Sequence, residues 1–324
     1  MLLSFLLSFG TVSSAFAMSW GSVNCNPGQI VYTVTLPDIK KISSMTVING
    51  QLYVVPYVAE SSPRIEMATG IIYNISEDGI LELSPNQFLI DTGHVNSIDY
   101  NADNDCLLVG NGGKSTSIEP NCIYIFKNAS TYRNYVMANK NLMTIDVSKN
   151  DWGKQLNCMW INADLICCIT NYEQNKMDAY AVHNPNQIGG NSRGFIRIVQ
   201  LGRGHANLGS GKMISNASEN EFNGTYRELK VFERPYDNSR ANNDCMWYNN
   251  KIWERWTSIS TFGFDIYITE LFDKDSTVDI SEITIPYIAP DGKPLSAEGE
   301  GICYYNGYIF IAAKNIVAVV RAWT

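Results

Sequence analysis

The chain has 324 residues and a formal net charge of −8, with 24 Lys and Arg scattered among 32 Asp and Glu. Phosphate backbones need a clustered basic face, so this balance argues against nucleic-acid binding, and no Gly-rich loop of the Walker or dinucleotide type is present. The eight cysteines include no CxxC pair, which removes a zinc ribbon or thioredoxin-type redox site.

Residues 1–20 form a short apolar N-terminal segment. Met1 to Ala17 ends in Ala15-Phe16-Ala17, a small-x-small pattern like a signal-peptide cleavage site, yet the usual basic n-region is missing. The stretch is too short and too rich in Ser to span a bilayer. It reads as a signal peptide or as a docking segment for a partner subunit.

Residues 21–324 read as one all-β domain, because no sustained 3.6-residue apolar period follows residue 20. Gln29 to Leu36 alternates Ile30, Tyr32, Val34 and Leu36 on one face and reads as a strand. One phrase then recurs: an apolar run, a turn built on Asn, and a second apolar run. It spans Ser44 to Val55, Asn96 to Val109, Cys158 to Ile169, Cys245 to Trp253 and Ile302 to Ile311. Asn and Gly tolerate the φ > 0 geometry of tight turns, so each copy predicts a β-hairpin. The turn Asn stands at 49, 101, 162, 249 and 306. Most of these spacings fit a four-stranded blade of roughly 40–50 residues plus a loop, the repeat unit of a β-propeller. The widest, between Asn162 and Asn249, holds extra material. Its Gly-, Asn- and Ser-rich stretch, about 202–223, reads as a long loop insertion.

Third and fourth strands follow most hairpins: Gly70 to Ile75 and Ile80 to Leu83; Cys122 to Lys127 and Met143 to Val147; Met177 to Val182 and Phe195 to Leu201, with Glu228 to Glu233 in surplus; Phe264 to Glu270 and Ile280 to Tyr287. The fifth hairpin has only Ile316 to Ala322 after it. Gln29 to Leu36 supplies the missing strand. The expectation is a five-bladed β-propeller closed by the N- and C-terminal strands, with no open edge at the seam.

Cys158, Cys245 and Cys303 fall on first strands and Cys106, Cys167 and Cys168 on second strands. There a free Cys acts as a small hydrophobe, and free thiols suit a reducing cytoplasm.

Polar residues where innermost strands begin are the candidate ligand-binding set: His94, Asn96, Asn157, Asn243, Glu298 and Glu300. Gly93-His94-Val95-Asn96 has a second copy in Gly204-His205-Ala206-Asn207. The competing reading has these groups satisfying backbone donors and water at a crowded hub. Glu298 and Glu300, with Asp99 or Asp244, could form a glycosidase pair, but no catalytic residue is assigned. Three His without an HExxH spacing give no metal site, and no cofactor is expected. Trp247, Trp253 and Trp256 suit either sugar stacking or blade packing.

The phrase Gly93 to Asn101, followed by an acidic turn and Cys106-Leu107-Leu108-Val109, resembles a motif of bacteriophage structural propellers. Glu298 to Tyr305 resembles its closing-blade version. The resemblance implies a virion protein of the tail or receptor-binding type, made in the host cytoplasm and forming a homo-oligomer. Its partner would be a host cell-wall glycopolymer or another virion protein, with no membrane span and no turnover. The alternatives are a secreted carbohydrate-active enzyme or lectin on a propeller, and a bacterial surface propeller.

Overall fold

The computed structural model of the chain describes residues 27–37, 39–57, 68–77, 79–90, 95–111, 122–131, 142–146, 156–170, 193–235, 242–256, 263–287 and 299–323. After β1 (Ile30–Thr35), the first sheet is β2 (Ile42–Ile48), β3 (Gln51–Pro56), β4 (Ala68–Ile75) and β5 (Leu81–Ile90), paired in that order. The second is β6 (Val95–Asn101), β7 (Cys106–Asn111), β8 (Cys122–Lys127) and β9 (Leu142–Asp146). The third runs β10 (Leu156–Trp160), β11 (Leu165–Thr170), β12 (Arg193–Arg203), β14 (Phe222–Pro235), with the short β13 (Ser210–Gly211) outside β14. The fourth is β15 (Asn242–Tyr248), β16 (Lys251–Trp256), β17 (Gly263–Phe272) and β18 (Thr277–Pro286). The fifth holds β19 (Gly299–Tyr305), β20 (Tyr308–Ala313) and β21 (Ile316–Arg321), and β1 completes it against β21.

The innermost strands β2, β6, β10, β15 and β19 contact one another in sequence and β19 returns to β2, so the five sheets are the blades of a closed propeller. The expected closure is present, with Thr33 opposite Ala318 and Val34 opposite Val317. Among the described residues no helix is long and apolar enough to cross a membrane.

The hairpins form for the reason the turn residues suggest. Asn49-Gly50, Asn249-Asn250 and Asn306-Gly307 each have φ > 0 at both positions and join strands by two-residue turns, the geometry that matches strand twist. In the longer turns Asn101 Oδ1 accepts the Asp103 N–H and Asn162 Oδ1 accepts those of Asp164 and Leu165, closing the loop with a side chain in place of a backbone carbonyl.

Both faces of each blade meet a neighbouring blade, which explains the continuous apolar runs in the sequence. In β21, Val317 and Val319 enter the cluster with Met45, Leu52 and Val54 of the first blade, whereas Ala318 and Val320 enter the one with Phe264 and Ile266 of the fourth. Three further clusters fill the other seams. Cys106, Cys158, Cys167, Cys168, Cys245 and Cys303 are free and buried in these seams. Burial pushes the thiols of Cys158, Cys167, Cys245 and Cys303 well above their ordinary range and that of Cys106 up to about 12.

The third blade departs from the sequence reading. Phe195 to Leu201 lies in its third strand and Glu228 to Glu233 in its fourth, while Met177 to Val182 lies outside the described residues. The 202–223 insertion connects those two strands, and its ends are themselves strand, with Arg203 opposite Phe222. Asn223 ties the excursion down by donating to the Gly204 and Ala206 carbonyls at 3.0 and 2.8 Å.

Candidate functional site

The starts of the innermost strands gather the expected residues at one equivalent position. Asn96, Asn157, Asn243 and Glu300 are each the second residue of their strand, and Ser43 holds that place in the first blade. Asn96, Asn157 and Glu300 are buried. His94, Glu298 and the side chain of Asn243 lie outside the described residues. Glu300 pairs with Lys41 at 2.7 Å, joining the fifth blade to the first, and the Lys41 ammonium sits 3.9 Å from the centre of the Tyr57 ring. Ser43 Oγ donates to the Val95 carbonyl of the second blade.

One residue further in, the ring is stitched by a rule that sequence reasoning missed. An innermost strand has a free edge toward the channel, and its N–H groups need acceptors. At three of the five seams the preceding blade supplies them. Ser44 Oγ accepts the Ile98 N–H at 2.9 Å, and Thr46 Oγ1 accepts that of Tyr100 at 3.2 Å. Ser97 Oγ accepts the Cys158 N–H at 2.7 Å, and Asp99 Oδ2 accepts that of Trp160 at 2.7 Å. In the fourth blade Asp244 Oδ2 accepts the Ile302 N–H at 3.0 Å.

The fifth blade has Gly301 at this place, with φ +94°. A Cβ there would come within 3.0 Å of Met45 Cγ and Ala312 Cβ, so the strand could not seat against the first blade with a side chain. Asp244 makes up the missing acceptor. It reaches the first blade to take the Met45 N–H and the Ser44 hydroxyl, the latter at 3.0 Å, while Oδ1 accepts the Cys245 N–H at 2.9 Å. The signal for this network was the alternation Ser44-x-Thr46 and Ser97-x-Asp99 inside otherwise apolar strands.

Farther out, buried cations join the fourth blade to both neighbours. Arg234 Nη1 donates to both oxygens of Glu254 at 2.7 Å, and Thr269 Oγ1 donates to Glu254 Oε2 at 3.2 Å. Arg255 Nη1 donates to the Asp265 carbonyl and Nη2 to that of Ala312. Burial lowers the Arg255 guanidinium to about 10, against the pull of Asp265, Asp244 and Glu300.

Burial likewise raises the hub acids, Asp244 well above the usual carboxylate range and Asp99 to about 7, each opposed by the N–H groups it accepts. A carboxyl raised in the folded state holds a proton that the unfolded chain has released. Its stabilising contribution is complete below the unfolded value near 4 and is lost as pH rises through the folded value. Stability should therefore fall from pH 4 to pH 7. The Asp99 part amounts to on the order of 4 kcal/mol across that window. Urea midpoints measured at pH 5, 6 and 7 should fall steadily for the natural protein and less steeply for Asp99→Asn, with Asp244 supplying the remaining slope. Equal slopes in both proteins would show that Asp99 does not titrate in this way.

Among the described residues no three His, Cys, Asp or Glu side chains are grouped to hold a metal ion. No protein-family model and no curated protein matches the chain. Solved structures do match. Virginiamycin B lyase from Staphylococcus aureus is 14% identical with a TM-score of 0.33, over 90% of this chain and 98% of that one. A chain of a nidogen–laminin complex is 10% identical with a TM-score of 0.39, over 86% and 75%. Kluyveromyces lactis Hsv2 is 9% identical with a TM-score of 0.31, over 75% of this chain and 62% of that protein, so the chain spans less than two thirds of its length. No residue role is carried across from any of them.

Proposed function

We propose that the chain is a non-enzymatic recognition propeller of a bacteriophage particle that binds a glycopolymer of the host cell surface. The observation that carries recognition over turnover is the use made of the hub acids. A glycosidase needs one carboxyl to protonate the leaving oxygen and another, about 5–9.5 Å away across open space, to attack or to activate water. Here Asp99 and Asp244 accept backbone N–H groups from neighbouring blades, Glu254 holds Arg234, and Glu300 holds Lys41. Each is tied to the closure of the ring.

The virion assignment rests on the phage-propeller phrases Gly93 to Asn101 and Glu298 to Tyr305. Six buried free thiols fit folding in a reducing cytoplasm. His94 and Asn96, on either side of Val95 in the sequence, carry donor and acceptor groups of the kind that suit a hydroxyl-rich polymer, and several copies would multiply weak contacts through effective concentration.

The test pairs a mass-spectrometric inventory of purified particles with adsorption of the purified protein to host walls. The protein should be found in particles. His94→Ala and Asn96→Ala should fold yet adsorb less, and host glycan should stay uncleaved. Absence from particles removes the virion assignment, and adsorption that survives both substitutions removes His94 and Asn96 as the contact. Glycan hydrolysis that disappears in Glu300→Gln would establish an enzyme instead. Binding to another particle protein without wall adsorption would assign a structural role.

A further inference from the structure

At the opposite end of the innermost strands, where the hairpins turn, four aromatic rings from the fourth and fifth blades form one run. Trp323 lies against Trp253 with centroids 5.3 Å apart, and Trp253 meets Tyr248 edge-on at 5.5 Å. Tyr248 in turn lies against Tyr304 at 4.4 Å and 31°. The polar atoms of the run are used internally. Tyr248 Oη donates to the Trp323 carbonyl at 2.6 Å, Trp253 Nε1 donates to that of Tyr248 at 3.1 Å, and Tyr304 Oη accepts the Gly307 N–H at 3.2 Å. The inner end is backed by Gly28, where a Cβ would come within 2.5 Å of the Trp323 ring.

The outer end is open. Tyr304 is 41% exposed although it is held by both the Tyr248 ring and the Gly307 amide. Beside it stand the turn residues Asn249, Asn250 and Asn306, all exposed. Lys251, which follows the first of these turns, is paired with Glu270 at 3.1 Å. The surface thus combines a fixed aromatic ring with amides and, behind the Asn306-Gly307 turn, the exposed Arg321 guanidinium.

We infer that this hairpin-tip face is a carbohydrate platform, and that Tyr304 stacks on a pyranose of a β-linked gluco-configured chain. The faces of such sugars carry axial C–H groups that pack on an aromatic ring, while the equatorial hydroxyls suit amide donors and acceptors. The Arg321 guanidinium, 3.8 Å from where a Gly307 Cβ would stand, adds a donor that sugar hydroxyls can also accept. A ring already ordered in the free protein loses little freedom on binding. The inference deepens the glycan-recognition reading and rests on it, but it uses the opposite end of the innermost strands from Asn96.

The experiment titrates the full-length protein with tetra-N-acetylchitotetraose and, separately, cellotetraose, read by the fluorescence of the nearby Trp residues and by saturation-transfer NMR. At least one sugar should give a saturable change. Tyr304→Ala should weaken binding about tenfold, the effect of one aromatic contact of about 1.4 kcal/mol. Tyr304→Phe, which keeps the ring and its contact with Tyr248 but gives up the Gly307 hydrogen bond, should stay within about twofold, and Tyr304→Trp should retain binding. The inference is overturned if neither sugar binds at millimolar concentration, or if Tyr304→Ala binds as well as the natural protein. A change of sedimentation in Tyr304→Ala with sugar binding unaltered would make this face a contact between copies, and would also overturn it. Particle content and wall adsorption of the His94 and Asn96 variants report separately on the function proposed above. A protein absent from particles whose sugar binding is lost in Tyr304→Ala would refute the virion assignment alone.

Discussion

Asp244→Ala should leave little or no cooperatively folded protein. The Asp244 carboxyl is fully buried on β15 and serves the N–H groups of Cys245, Ile302 and Met45 and the hydroxyl of Ser44. It therefore joins the fourth blade to the fifth and, past Gly301, to the first. Removing it leaves three buried backbone donors without their acceptor. A buried donor without a partner costs about 1–3 kcal/mol, so the loss is on the order of 5 kcal/mol. That is comparable with the whole margin of a typical domain, about 5–15 kcal/mol. Ser97→Ala is the graded comparison, since it orphans the single N–H of Cys158 and should cost about 1–3 kcal/mol. Soluble yield and urea unfolding followed by Trp fluorescence would check both. An Asp244→Ala protein within about 1 kcal/mol of the natural one would mean that hub water replaces the carboxylate.

The residues that made the fold legible are those whose role is local. Asn49-Gly50, Asn249-Asn250 and Asn306-Gly307 adopt the left-handed turn geometry for which Asn and Gly are suited. The apolar runs around them are long because each blade is covered on both faces, as β21 shows. The strand deficit after Ile311 and the lone strand at Gln29 to Leu36 match because the fifth blade is completed by β1 from the other end of the chain, which closes the ring.

What stayed hidden depends on partners far apart in sequence. Ser44 and Ile98, Ser97 and Cys158, and Asp244 and Ile302 meet only once the ring is built. A polar residue alternating with apolar ones reads as solvent-facing, so the Ser44-x-Thr46 and Ser97-x-Asp99 alternation, though visible, did not say that these side chains accept N–H groups from the next blade. The Gly-rich composition of 202–223 read as loop, yet Gly202 is there for close approach: a Cβ at that position would sit 2.2 Å from Thr225 Oγ1. In the second Gly-His-x-Asn copy the Gly204 and Ala206 carbonyls anchor Asn223, and His205 is exposed. The Arg234–Glu254 clamp crosses between two blades, a contact that no spacing rule encodes.

Deleting residues 315–324 should open the ring and abolish its cooperative unfolding transition. The segment removes β21, which lies between β1 and β20, so β1 loses its sheet partner as well. Val317, Ala318, Val319 and Val320 are fully buried and fill the seams on both sides of the fifth blade. Fully burying a Val side chain is worth about 1.5–3 kcal/mol, so the three valines alone account for on the order of 5 kcal/mol. The exposed edge of β20 would then be open to pairing between chains, and aggregation should accompany the loss of near-ultraviolet circular dichroism. Closure should depend on β1 and β21 pairing and not on where the chain is cut. Gly28 N–H donates to the Arg321 carbonyl and Arg321 N–H to that of Gln29, so residues 28 and 321 are adjacent. A circular permutant that joins them through a short Gly/Ser linker and opens at the exposed Asn249-Asn250 turn should therefore keep the propeller. A folded deletion variant, or a permutant that fails to fold while its parent 28–324 fragment succeeds, would count against closure by this pair of strands.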